Sequence, residues 1–325
     1  GGSSGGSGAA LATNMLPLCQ GGDTGGSLRN PATWCGVVGF LPTPGLVPRE
    51  NRTLNYTHFN VQGPMARNVP DIALMMAGCI GDDSRDPLSS PCDPKPFLNL
   101  ELTNLKELRV AWTEDFGGIA PLDDGIRSCF QDVIAKLNGT FQSLHGCDPD
   151  FSDARDCFWT LRCVNYLATH QNRYEQHRDI LSQNIIANVE AGQKMSLADV
   201  STAETQWRHI YMDFQRFFEN LDLLIVPGNA TPPFRIADGI PREVNGKKMK
   251  NYMDASLIRS ALTLTGHPVL ALPCGYDHLG LPFGVQLVGK RRADCKLLEI
   301  GMALENAFSK TPGLERPLPN LEELT

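Results

Sequence analysis

The segment Gly22-Asp23-Thr24-Gly25-Gly26-Ser27-Leu28-Arg29 packs three glycines, one serine and two opposite charges into eight residues. Successive glycines meet little steric restriction, so they can turn consecutive backbone N–H groups toward one point and form a nest for negative charge. Ser27 stands at the edge of that nest as a hydroxyl able to attack. A serine hydroxyl is a weak nucleophile without a base beside it, and neither His58 nor any other histidine has a local pattern that nominates it. Upstream, Gly1-Gly2-Ser3-Ser4-Gly5-Gly6-Ser7-Gly8 has the composition of a flexible linker, yet Ala9-Ala10-Leu11-Ala12 continues it as a small-residue helix pattern. Two glycine loops therefore bracket one helix, with a short strand expected at Leu16 to Leu18.

Further along, helix and strand signals alternate, which is the mark of an α/β fold. Val69, Ile72, Ala73, Met76 and Ala77 recur at helical spacing, and the stretch Gly63 to Gly81 reads as one helix with Pro70 in its first turn. Leu108 to Trp112 reads as a buried strand, and Ile126 to Leu137 as an amphipathic helix. From Cys157 to Asn220 the pattern is mostly helical, with Trp207, Ile210, Tyr211, Phe214, Phe217, Phe218 and Leu221 forming an aromatic stripe that serves mainly as core. Leu221 to Pro227, Val269 to Pro273 and Gly284 to Val288 read as strands, and Arg291 to Phe308 holds the last helix.

Composition narrows the function. The chain has 325 residues with 42% hydrophobic and 20% charged residues, enough for one large α/β domain or two smaller ones. No apolar run approaches the roughly 18 residues of a membrane helix. A net charge of -7 leaves no basic stripe for nucleic acid. The ten cysteines include no C-x-x-C pair and no histidine at ligand spacing, so reduced thiols are expected rather than a metal site.

Taken together, Gly1 to Ser7, Gly22 to Arg29 and Trp34-Cys35-Gly36-Val37-Val38-Gly39 closely resemble the amidase signature family. The likeness returns at Gly63-Pro64-Met65-Ala66-Arg67, at Asp222 to Pro227, and from Thr265-Gly266-His267-Pro268 through Leu281 to Gly289; it is weakest from Leu98 to Asn220. It implies a single domain, residues 1–325, built on a large twisted mixed β-sheet surrounded by helices, with the variable region 157–235 lining the substrate pocket. It also implies a Ser–Ser–Lys triad in which Ser27 is the nucleophile and Ser3, preceded by a cis peptide bond, relays protons. Ser4 is the less favoured relay. The implied oxyanion donors are backbone N–H groups of Thr24, Gly25, Gly26 and Ser27, and Asp23 and Arg29 would pair to support the loop.

The family's lysine belongs to a segment upstream of Ser3, so the resemblance implies that this chain lacks the N-terminal part carrying it and is inert by itself. Lys95, Lys106, Lys136 and Lys194 lie in unrelated contexts. The expected reaction is hydrolysis of a small-molecule carboxamide through a seryl acyl-enzyme. It calls for no metal and no organic cofactor, and a cytoplasmic setting is expected. A homodimer of the chain is compatible with this reading, whereas the amidotransferase type would act with partner chains. The alternatives are an A-type subunit of an amidotransferase, which would use glutamine, and a non-catalytic binding or assembly subunit; Leu46 to Gln62 does not resemble the amidotransferase type. Gly1-Gly2-Ser3-Ser4-Gly5 also fits the esterase pattern G-x-S-x-G, which matches easily in such a run, and neither glycine loop carries the Gly-Lys-Ser/Thr of a P-loop.

Overall fold

A computed structural model describes residues 2–324. Ten strands are present among them: β1 (Leu18–Asp23), β2 (Val38–Leu41), β3 (Val61–Ala66), β4 (Arg109–Trp112), β5 (Ser143–Gly146), β6 (Leu223–Pro227), β7 (Glu243–Val244), β8 (Lys247–Lys248), β9 (Val269–Tyr276) and β10 (Pro282–Val288). The helices are α1 (Gly5–Ala12), α2 (Arg29–Trp34), α3 (Val69–Cys79), α4 (Lys95–Leu98), α5 (Asp124–Lys136), α6 (Ala154–His177), α7 (Gln183–Lys194), α8 (Leu197–Phe217), α9 (Leu257–Leu264) and α10 (Asp294–Phe308). Eight strands form one sheet in the order β1-β3-β2-β9-β10-β6-β4-β5. Strand β4 runs parallel to both β5 and β6, and the other pairings are antiparallel, so the sheet is mixed as expected.

Side-chain alternation along the central strands explains why helices cover both faces. In β6, Leu223 and Ile225 enter the core shared with α3, α5 and α10, whereas Leu224 and Val226 enter the core shared with α6, α8 and α9. Every residue of β6 is buried, which is why that segment reads as an unbroken apolar run. The aromatic stripe of α8 is core in the main: Phe214, Phe218 and Ile210 are buried, and Phe214 stacks on Phe151 at 5.4 Å. Helix starts follow their capping residues. Asn68 accepts from the Asp71 N–H at 2.8 Å at the head of α3, and Ser196 and Asp199 form a reciprocal box at the head of α8.

Three expectations are corrected. Gly63 to Ala66 belongs to β3 rather than to a helix, because Val61–Ala66 pairs residue for residue with Leu18–Asp23 and only Val69 onward is helical. The first strand runs from Leu18 to Asp23 instead of Leu16 to Leu18, so the loop's first glycines lie inside it. The helix expected from Ala9 onward already begins at Gly5, so Gly5 to Gly8 form its first turns and not a glycine loop. All ten cysteines are free thiols, and among the described residues no helix is long and apolar enough to cross a membrane.

Candidate active site

Strand β1 delivers Asp23 at its end, and α2 begins at Arg29, so the five residues between them must reverse the chain. Gly26, at φ +117°, makes the turn that other residues rarely adopt. The turn closes around one carboxylate. Asp23 Oδ1 accepts from the Gly26 N–H at 2.6 Å and Arg29 Nη2 at 3.1 Å; its Oδ2 accepts from the Leu28 N–H at 3.1 Å and Arg29 Nε at 3.0 Å. Both side chains are fully buried. Burial alone would push the Asp23 carboxyl up, but the charge and hydrogen bonds of Arg29, with the two backbone donors, outweigh it and hold the group below the ordinary carboxylate range.

Arg29 is saturated in turn. Its Nη1 donates to the Arg259 carbonyl and to Gln286 Oε1, both at 2.9 Å, and its Nη2 to Thr263 Oγ1 at 3.0 Å. Gln286 is itself fixed by donating to the carbonyls of Pro227 and Ile258. The loop is thus tied to α9, β10 and the end of β6.

This bears on the oxyanion donors that the resemblance implies. Gly26 is expected among them from the resemblance, but its N–H is committed to Asp23, because a short contact to a buried carboxylate leaves that hydrogen no second partner. The N–H groups of Thr24, Gly25 and Ser27 enter no hydrogen bond within the described residues. Ser27 is half-buried, and its hydroxyl has no partner there either.

Ser3 and Ser4 are placed differently from each other. Ser3 is exposed, whereas Ser4 is buried, donates its N–H to the Ser27 carbonyl at 3.4 Å and packs its hydroxyl on Gly21. No cis peptide bond occurs among the described residues, so the one implied before Ser3 is not present. No lysine is hydrogen-bonded to any of the three serines among the described residues; every lysine is exposed except Lys290, which is half-buried and pairs with Asp222 at 3.0 Å.

The walls of the loop come from elements far along the chain. A Cβ added at Gly25 would lie 2.7 Å from Phe158 Cζ and 3.3 Å from Met253 Cε, so α6 and the approach to α9 close over that glycine. One added at Gly26 would lie 2.7 Å from both Cδ and Nε of Arg259. Sequence reasoning missed Arg259, although a single charge inside the apolar helix Leu257-Ile258-Arg259-Ser260-Ala261-Leu262 is a signal of its kind. Gln286 lies in a stretch that carries the family likeness, yet its task shows only in its contacts. No group of three or more His, Cys, Asp or Glu side chains could hold a metal ion among the described residues.

A mixed sheet covered on both faces, with a glycine loop edged by a serine and pinned by a buried ion pair, defines an α/β protein with a built loop at the sheet's end. The chain belongs to the Amidase family, whose sequence pattern matches residues 1–298. It is similar to an acylamidase of Rhodococcus erythropolis, 26% identical over 307 residues that make up 94% of this chain and 64% of the relative. It is also similar to the A-type subunit of the glutamyl-tRNA(Gln) amidotransferase of Acinetobacter baylyi, 30% identical over 92% of this chain and 65% of that relative. Among solved structures, a bacterial aryl acylamidase of the amidase signature enzymes superposes with a TM-score of 0.86 at 26% identity, covering 98% of this chain and 68% of that one. The chain spans about two thirds of the length of these curated relatives.

Proposed function

We propose that the chain carries the nucleophile half of an amidase active site, hydrolysing a small-molecule carboxamide through an acyl-enzyme on Ser27. The observation that supports this best is the loop itself: three uncommitted N–H groups and a partner-free serine hydroxyl share a turn that a buried ion pair holds rigid. Preorganised donors of this kind stabilise charge that develops only in the transition state. Ser27 Oγ attacks the carbonyl carbon, and the oxyanion is received by the N–H groups of Thr24, Gly25 and Ser27. The C–N bond then breaks as a proton passes to the leaving amine. Water attacks the resulting ester and releases the carboxylate and Ser27. Ser3, adjacent to the Ser4 that is bonded to the Ser27 carbonyl, is the proposed proton relay.

None of the chain's own lysines is placed as the base, and a lysine in that role has to be desolvated to bring its pKa down. The test compares the 325-residue chain with a version extended at its N-terminus by a lysine-bearing segment of the family type, on a panel of aryl amides, alkyl amides and glutamine. Turnover is expected in the extended form only, and to disappear in Ser27→Ala. Full turnover in Ser27→Ala would refute the reading. Preference for glutamine would move it to the amidotransferase type, which the similarity to the Acinetobacter relative supports.

A further inference from the structure

Arg259 is 5% exposed, and all its side-chain partners are neutral: Nη1 donates to Asn229 Oδ1 at 2.5 Å and Nη2 to Ser256 Oγ at 3.1 Å. Its Nε is buried with no hydrogen-bond partner, and no ion pair among the described residues includes this residue. Asp23, the acid whose charge reaches it, is already taken up by four donors. Burial and the neighbouring Arg29 charge pull the Arg259 guanidinium down to about 9, with Asp23 opposing only in part. A buried cation in such a setting costs free energy unless something completes it.

Its position says what would. The side chain lies against Gly26, the residue before Ser27, and the absence of a side chain there is what admits it. Asn229 is held in turn by donating to Thr33 Oγ1, which directs its oxygen to Arg259. One residue earlier in the turn, Gly25 faces the apolar Phe158 and Met253. Thr24 and Ser27 are half-buried, so the turn keeps a partly solvent-exposed side, whereas Gly25 and Gly26 are buried. The two residues before Ser27 thus meet an apolar wall at Gly25 and an incompletely hydrogen-bonded guanidinium at Gly26.

We infer that Arg259 is a specificity-determining residue that receives an anionic group of the substrate, so that the amides taken are those of short dicarboxylic acids, with a free carboxylate a few bonds from the scissile carbonyl. A guanidinium edge suits a carboxylate because its N–H groups are fixed in one plane. The word substrate rests on the amidase reading above; recognition of the carboxylate does not.

Binding tests it on the 325-residue chain, with no need for a base. Succinamate, the half-amide, and succinamide, its neutral counterpart, are titrated by thermal shift and calorimetry into the unaltered protein, Ser27→Ala, Arg259→Met and Arg259→Lys. Succinamate is expected to raise the Tm of the unaltered protein and of Ser27→Ala, and succinamide to raise neither. Arg259→Met should keep or raise the ligand-free Tm, because an unpaired buried charge is gone, and bind succinamate at least about tenfold more weakly. Arg259→Lys, which keeps the charge without the fork, should fall between them and decides the matter if the methionine variant does not fold. No succinamate response, an equal response to succinamide, or undiminished binding in the Arg259 variants overturns the inference. Carboxylate binding alongside full amide turnover in Ser27→Ala of the extended form would instead sink the amidase reading alone.

Discussion

Arg29 grips the Asp23 carboxylate with two parallel hydrogen bonds of 3.0 and 3.1 Å across only six residues, and both side chains are completely buried. The pair works as a clasp, since the same two carboxylate oxygens hold the N–H groups of Gly26 and Leu28 on either side of Ser27. Removing one partner of a buried pair strands the other, at a cost of about 3–5 kcal/mol. Asp23→Asn is therefore expected to lower the unfolding free energy measured in urea by an amount in that range. A loss below about 1 kcal/mol would mean that the loop does not depend on the clasp.

The same pair sets an acid limit. Because the folded-state pKa of Asp23 is lowered, its contribution is fully present above the unfolded carboxylate value and is lost as pH falls through the folded one. Unfolding followed against pH should show a steeper acid loss in the unaltered protein than in Asp23→Asn, compared after normalising to neutral pH.

Glycines in the turn before Ser27 and in α1 should respond in opposite directions. Gly26→Ala meets Arg259 at 2.7 Å and forces a side chain into the positive-φ region, so a loss of several kcal/mol is expected, since left-handed strain alone costs about 1–3 kcal/mol. Gly6 lies in α1 with nothing within 4 Å of a built Cβ, and Gly6→Ala should stabilise by up to about 1 kcal/mol. Thermal unfolding of both variants checks the contrast.

Glu305 gives a pH dependence of the other sign. Burial raises its carboxyl to about 7 despite the Val69 N–H at 3.1 Å and the charge of Arg316, with Asp71 adding to the rise. A raised folded value makes its contribution complete below the unfolded pKa and lost as pH climbs through the folded one. Between about pH 4.5 and 7, Glu305→Gln should thus flatten the decline in Tm. Asp294, raised to about 6 by burial, declines in an overlapping window and should remain visible in that variant.

How much of this is legible in the sequence depends on which force sets each element. Leu223–Pro227 is legible because a strand buried on both faces must be apolar throughout, and α5 because its apolar stripe has helical period. The strand character of Gly21 and Gly22 is hidden, since glycine has no strand preference and only pairing with Gly63 and Gln62 imposes it. In the site, residue types mark Ser27, Asp23 and Arg29, but not which N–H groups the carboxylate consumes. Gly26 is lost to Asp23, and Arg259 gains its place only through contact across more than two hundred residues of chain.

The far ends of the Arg29 contacts bear on the order of assembly. A six-residue clasp can close early, but Arg29 also needs the Arg259 carbonyl, Thr263 and Gln286, which are synthesised 230 to 257 residues later. Until those arrive, a buried guanidinium would face missing acceptors, so a nascent or C-terminally shortened chain has no settled turn at Ser27. The turn that carries Ser27 is therefore completed by residues from the C-terminal third of the chain, in the same packing that brings α9 and β10 against it.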